Sequence, residues 1–222
     1  MSALLIVAPH ADDETLGCGG TMLRAAAEGR PVHWLLVSDL TAQAGFSHED
    51  MARREEEIER VARHYRLAGV HRLHLPTTAL EAVPRAKLVA ALGRVLEQVQ
   101  PEELYLPFPG DAHSDHRAVF AAGAACAKWF RQRSLRRLLA YETPSETDFG
   151  LDPTAAPFRP NRFLDITPHL EGKLAAMRIY AGELGEHPFP RSETAIRALA
   201  ALRGAAAGCS AAEAFMLLWE LL

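Results

Sequence analysis

Two short stretches of this 222-residue chain concentrate side chains that do chemistry: Pro9-His10-Ala11-Asp12-Asp13-Glu14 and Asp111-Ala112-His113-Ser114-Asp115-His116. Three carboxylates in succession repel one another unless something positive neutralises them. A divalent cation does so, and His with Asp is donor chemistry that zinc accepts. His113 and His116, three residues apart, can face one point if a helix carries them. A plainer use is open to the same residues, with Asp12 or Asp13 capping the helix that follows. Gly17, Gly19 and Gly20 admit a further reading as a dinucleotide loop. Against it, Asp12, Asp13 and Glu14 would lie where a pyrophosphate belongs; close packing of a helix on a strand accounts for the glycines better.

The elements that must position these groups alternate along the chain. Leu4-Leu5-Ile6-Val7-Ala8 is a continuous apolar run closed by Pro9, as expected of a strand buried on both faces. The stretch from Thr15 to Glu28 predicts a helix with Leu16, Leu23 and Ala27 on one stripe and Gly29 as its stop. Val32 to Val37 predicts a second buried strand. Asp50 to Arg66 predicts an amphipathic helix with Ile58, Val61 and Tyr65 inward. Val70 to Leu75 follows as a strand, then a helix opened by Pro84 and carrying Leu88, Leu92, Leu96 and Val99, then a strand at Leu104–Leu106. After His116 the sequence predicts a helix to about Arg133, a strand at Leu138–Tyr141, a proline-rich loop over 143–161, and a helix with Leu170, Leu174, Met177, Ala181 and Leu184 as its core stripe. This alternation predicts an α/β fold: a single-domain, Rossmann-like, open and mostly parallel sheet with helices on both faces, residues 1–222 forming one domain. Both polar clusters then fall at the carboxyl ends of strands, where such sheets bind ligands.

Composition narrows the class. Hydrophobic residues make up 49% and charged residues 23%, and the net charge is −4 with no long block of one sign, which argues against a nucleic-acid partner. The first twelve residues are too polar for a signal peptide, and no apolar run approaches the ~20 residues that span a bilayer. Three cysteines, Cys18, Cys126 and Cys209, are far apart and form no CxxC pair. A reduced, cytoplasmic protein without membrane insertion is the expectation.

Ala8-Pro9-His10-Ala11-Asp12-Asp13-Glu14, followed by Gly17-Cys18-Gly19-Gly20, resembles the first motif of the LmbE-like, or PIG-L-like, zinc-dependent N-deacetylases, and His113-Ser114-Asp115-His116 resembles their second. The likeness extends to Arg54-Glu55-Glu56, Tyr141-Glu142, Pro160-Asn161 before Asp165-Ile166, Lys173 to Tyr180, His187 to Ser192, and Arg203-Gly204 with Ala212-Glu213-Ala214-Phe215. The resemblance implies Zn2+, or another divalent ion, held by His10, Asp13 and His116, with Asp12 as general base. It implies that His113 assists the oxyanion and leaving amine and that Asp115 is hydrogen-bonded to His113; the amine's proton comes from His113 or from Asp12. It implies hydrolysis of an N-acetyl group from a small N-acetylated amino-sugar conjugate of the N-acetylglucosamine type, and a homo-oligomer. Ala11 stands where the family usually has Pro, and Ser38-Asp39-Leu40-Thr41-Ala42 replaces a more typical Thr-Asp-Gly-Glu in a loop expected to border the substrate.

Arg53, Glu142 and Arg191 are further candidates for contact with a sugar or a neighbouring subunit, against a solvated or ion-paired use of each. His33, His48, His64, His71, His74 and His169 lack metal spacing, and Cys18 reads as a small packing residue. Trp129, Phe130 and Trp219 read as core or interface, and the apolar stretch from Phe215 to Leu222 as a surface for an interface. Two other functions compete: a catalytically silent sugar-binding module, and a nucleotide-binding Rossmann protein using Gly17–Gly20.

Overall fold

The first apolar run forms β1 (Leu4–Ala8), buried along its length, with Leu4, Ile6 and Ala8 facing one core and Leu5 and Val7 the other. This two-sided burial is what an unbroken apolar strand requires, and β1 lies in the interior of the sheet. The computed structural model describes residues 2–154 and 156–222; Met1 and Ala155, the latter inside the proline-rich loop, lie outside them. The chain continues through α1 (Asp13–Ala27), β2 (Val32–Asp39), α2 (His48–His64), β3 (Gly69–Pro76), α3 (Arg85–Val99) and β4 (Glu103–Pro107). It then forms α4 (Ser114–Cys126), β5 (Arg137–Tyr141), β6 (Arg162–Asp165), α5 (Leu170–Met177), α6 (Glu193–Ala207) and β7 (Ala212–Glu220).

The sheet order is β3-β2-β1-β4-β5-β7-β6. β1 to β5 pair in parallel, while β7 lies antiparallel between β5 and β6. Side chains of α1, α2, α5 and α6 fill one core with Trp34 and Tyr141; α3 and α4 fill the other with Leu35 and Leu106. The expected α/β architecture with helices on both faces is therefore present. Strand order reverses around β1, whose neighbours are β2 and β4, so the crevice at their carboxyl ends is the switch point where such sheets hold ligands.

Three expectations change. The helix after His116 ends at Cys126, seven residues before Arg133. The stripe from Leu170 to Leu184 is a shorter helix followed by a separate single turn at Ala181–Glu183. The stretch from Phe215 to Leu222 is divided: Phe215 is 1% exposed where β7 pairs with both β5 and β6, while Leu218, Leu221 and Leu222 are exposed. Among the described residues no helix is long and apolar enough to cross a membrane.

The glycines of the first motif sit inside α1, not in a loop. A Cβ at Gly17 would fall 2.2 Å from the Tyr141 ring, and one at Gly20 would fall 2.5 Å from Ile166. Their smallness lets α1 lie close on β5 and on the turn after β6. A buried ion pair locks the same helix: Glu213 of β7 accepts from the backbone N–H of Gly20 and of Thr21, each at 2.8 Å. Lys173 of α5 joins it, donating to Glu213 at 2.7 Å and to the Leu16 carbonyl at 2.8 Å.

Candidate metal centre and active site

Pro9 ends β1, and the next five residues turn into α1 through a backbone conformation that non-glycine residues seldom adopt. Asp12 has φ 145°, a geometry that costs on the order of 1–3 kcal/mol and persists only where neighbours enforce it. Glu14 is the enforcer. It is fully buried; one carboxylate oxygen accepts the Asp12 N–H at 3.0 Å, and the other accepts the Thr15 and Tyr180 hydroxyls at 2.6 and 3.0 Å. Burial pushes Glu14 up to about 7.

Neither acid caps α1 with its side chain. Asp12 is the N-cap by backbone only, its carbonyl accepting from Thr15 and Leu16, and its side chain makes no cap bond. Asp13 instead accepts the His10 N–H at 2.9 Å. Both carboxylates are thereby free to face the crevice.

The second motif arrives from β4, with His113 at the N-cap of α4 and Asp115 and His116 in its first turn. Donor atoms of His10, Asp13 and His116 lie within 4.8 Å of one another, and so do those of His10, His113 and Asp115. Nδ1 of His116 bonds the Asp111 carboxylate at 2.8 Å, and Nε2 is buried without a hydrogen-bond partner, 3.2 Å from Asp13 Oδ2. A carboxylate only accepts, so Nδ1 carries the proton toward Asp111 and Nε2 offers a lone pair to the point that Asp13 also faces. Two electron-pair donors converging on one point fit a cation between them.

The electrostatics agree. Burial opposes protonation of His116, yet Asp13 and Asp111 outweigh it and push the imidazole well above its ordinary range. Burial likewise opposes charge on His10, but Asp115 and Asp13 raise it to about 9. Asp13 is held far below the usual carboxylate range, the attraction of His116 and His10 overcoming burial. The site favours positive charge, and His10, Asp13 and His116 are one of the two sets here whose donor atoms lie close enough to hold a divalent ion. Asp12 stands beside them without joining: burial, then Asp13 and Glu183, push its carboxyl well up, while Arg191 at 3.3 Å pulls it down.

Asp115 is placed differently from expectation. Its carboxylate does not hold His113. One oxygen accepts the Thr78 N–H at 2.8 Å and lies 3.2 Å from His10 Nε2; the other accepts the Leu80 N–H at 2.9 Å. The backbone N–H of Asp115 donates to His113 Nδ1 at 3.1 Å, which leaves the ring's proton on Nε2. Burial and the charge of His10 lower the His113 pKa.

His10, Asp12, Asp13, His113 and His116 line one cleft of about 240 Å³. Leu36, Leu40, Phe46, Met51 and Ile58 form an apolar wall; Arg54, Glu146, Glu183 and Arg191 bring charge to its rim. Ser38, Asp39 and Leu40 border it, as expected of that loop. Of the three further candidates, Arg191 lies in the cleft, bridging Asp12 and Glu183. Arg53 points outward, its side chain 56% exposed and paired with Asp50. Arg54 takes the inner place, donating to the Ala11 carbonyl and to Glu183. Helical phase carried this signal, since Arg54 shares the inward stripe of Ile58 and Val61. Glu142 lies outside the cleft in a two-pronged pair with Arg203 at 2.6 and 2.8 Å. Asp111 carries a local signal in its place within the second cluster, whereas Glu146 and Glu183 reach the site from segments with no such signal.

A doubly wound α/β sheet with a convergent His-Asp-His cluster at its switch point defines the class of protein. The chain belongs to the PIG-L family, whose sequence profile, described as GlcNAc-PI de-N-acetylase, matches residues 5–127. It is 28% identical over 225 residues to a diacetylchitobiose deacetylase of Thermococcus kodakarensis, covering 95% of this chain and 80% of that one. It is 29% identical over 230 residues to a 1D-myo-inositol 2-acetamido-2-deoxy-alpha-D-glucopyranoside deacetylase of Mycobacteroides abscessus, covering 82% and 81%. The conserved protein TT1542 from Thermus thermophilus superposes with a TM-score of 0.80 at 27% identity, over 100% of this chain and 97% of that one.

Proposed function

We propose that this protein is a zinc-dependent N-deacetylase that hydrolyses the acetamide of an N-acetylglucosamine-type sugar. The observation that carries the reading is the pairing of a convergent His10, Asp13 and His116 set with an adjacent carboxylate, Asp12, that remains outside it. Both relatives named above act on acetylated amino sugars, as their names state.

Zinc held by His10, Asp13 and His116 supplies, when bound, an acidified water and a Lewis acid for the amide oxygen. Asp12 accepts the proton of the attacking water; its raised pKa makes it a stronger base than an exposed aspartate. The water oxygen bonds to the carbonyl carbon, and charge builds on the carbonyl oxygen. His113, whose Nε2 carries the proton, donates a hydrogen bond to that oxygen. The C–N bond then breaks, Asp12 returns its proton to the nitrogen, and acetate and a primary amine leave. Arg191 bridges Asp12 to Glu183 and keeps the base aimed into the cleft. Residues 1–222 act as one domain in this reading.

Primary-amine release from a panel of N-acetylated sugars, with bound zinc counted, tests it. Release abolished by a chelator and restored by zinc is expected. A protein that takes up no zinc and releases no amine overturns the reading; one that binds the sugars with zinc in place and never turns over is the silent binding module instead.

A further inference from the structure

A second surface lies at the other end of the sheet. The turn between α4 and β5 presents Trp129 and Phe130 at 63% and 55% exposure, their rings in T-shaped contact at 5.8 Å. Lys128 and Arg131 each hold their charge 6.0 Å from the Phe130 ring, and Arg133 and Arg136 follow, all four exposed. The turn is pinned. The N–H groups of Arg131 and Gln132 both donate to the Lys128 carbonyl, at 2.8 and 3.0 Å, and Gln132 and Leu135 are buried beneath. Leu221, 49% exposed, runs alongside with its N–H donated to the Arg136 carbonyl at 2.9 Å.

Ion pairing singles out these cations. Arg137, next in sequence, is taken by Glu103 and Glu220. Among the described residues Lys128, Arg131, Arg133 and Arg136 form no ion pair, so four charges and two aromatic rings stand together on a chain whose net charge is −4.

We propose that this turn is a peripheral docking surface for an anionic lipid bilayer. Tryptophan and phenylalanine bury their rings at the headgroup level, and clustered Lys and Arg are drawn to acidic lipid; neither signal alone anchors a protein well, and here both occur on one rigid turn. A second copy of the chain is a poorer occupant. A two-fold contact would set the four cations against their own copies. A nucleic acid would answer the charge but has no stacking groove in this two-ring turn. The turn lies at the amino end of β5, whereas the cleft opens at the carboxyl ends of β1 and β4, so a docked protein keeps its cleft toward water. The proposal stands apart from the deacetylase reading.

Sedimentation of the full chain with vesicles tests it, comparing phosphatidylcholine alone with phosphatidylcholine mixed with phosphatidylglycerol. Binding to the anionic vesicles at low salt, weakening as salt rises, is expected. R131A/R133A should weaken partitioning by about 5-fold for each cation removed. W129S/F130S should abolish binding while leaving the melting temperature and amine release on a soluble substrate unchanged, because none of these residues reaches the cleft. Absence of binding to anionic vesicles overturns the proposal. So does equal binding by W129S/F130S, or a dimer in sedimentation equilibrium that W129S/F130S dissolves, or tight binding to RNA in place of vesicles.

Discussion

One oxygen of the Asp111 carboxylate accepts the Nδ1–H of His116 at 2.8 Å while the other accepts the Thr147 hydroxyl at 2.6 Å. This one contact decides which face of the imidazole the cleft sees. It places the lone pair of Nε2 opposite Asp13 and ties the ring to the 143–149 loop through Thr147.

Partners of this kind raise the basicity of a metal-binding histidine and hold its ring in place. Asp111→Ala should therefore lower zinc affinity by about 10- to 100-fold, read by competition against a chromogenic chelator. Undiminished affinity would remove Asp111 from that part.

Asp12→Asn separates base from ligand. The variant should bind one equivalent of zinc as the wild type does and lose about 10²–10⁴ in kcat, the usual worth of a positioned base. Zinc content by metal analysis and steady-state amine release together decide it; wild-type turnover would exclude Asp12 as the base.

Lys173 and Glu213 form a buried pair that also bonds the backbone of α1. Removing one partner strands the other. Lys173→Met and Glu213→Gln should each cost about 3–5 kcal/mol, and the double variant should cost clearly less than the two together. Urea unfolding of the four proteins gives the coupling, and strictly additive losses would show that the two side chains act independently.

Glu103 predicts a pH dependence remote from the cleft. Burial alone would raise it, but the Tyr105 hydroxyl and the Arg30 and Arg137 guanidiniums outweigh burial and hold it below the usual carboxylate range. A carboxyl with a depressed folded pKa stabilises in full above its unfolded value of about 4.3 and loses that contribution as pH falls through the folded value. Wild type should thus be the more stable at neutral pH and lose its advantage over Glu103→Gln below about pH 4.3. Urea midpoints across that range measure it, and a constant gap between the two proteins would contradict the assignment.

The strands and the two motifs were legible because their signals are local. An unbroken apolar run is a buried strand whatever surrounds it, and His10, Asp13 and His116 stand at fixed distances from strand ends. What escaped depends on distant partners. Ala212–Glu220 is rich in Ala, Glu, Met and Leu, good helix formers, yet it is a strand because β5 and β6 flank it. The partners of Asp115 are amides of a loop more than thirty residues away, where Thr78 adopts a positive φ. No sequence spacing encodes that meeting. Arg54 is the exception, because helical phase alone places it on the inward stripe with Ile58 and Val61 while Arg53 faces out.

The contact between Glu213 and Gly20 joins residues 193 positions apart. A ribosome adding about 5–20 residues per second makes His10 through Glu14 roughly 10–40 s before the strand that fastens α1 behind them. For that interval the three acids of the first motif belong to a nascent chain whose sheet lacks β7. The first motif is thus made well before the strand that fastens its helix, and loss of β7 should unmake the cluster of His10, Asp13 and His116 although it touches none of the three.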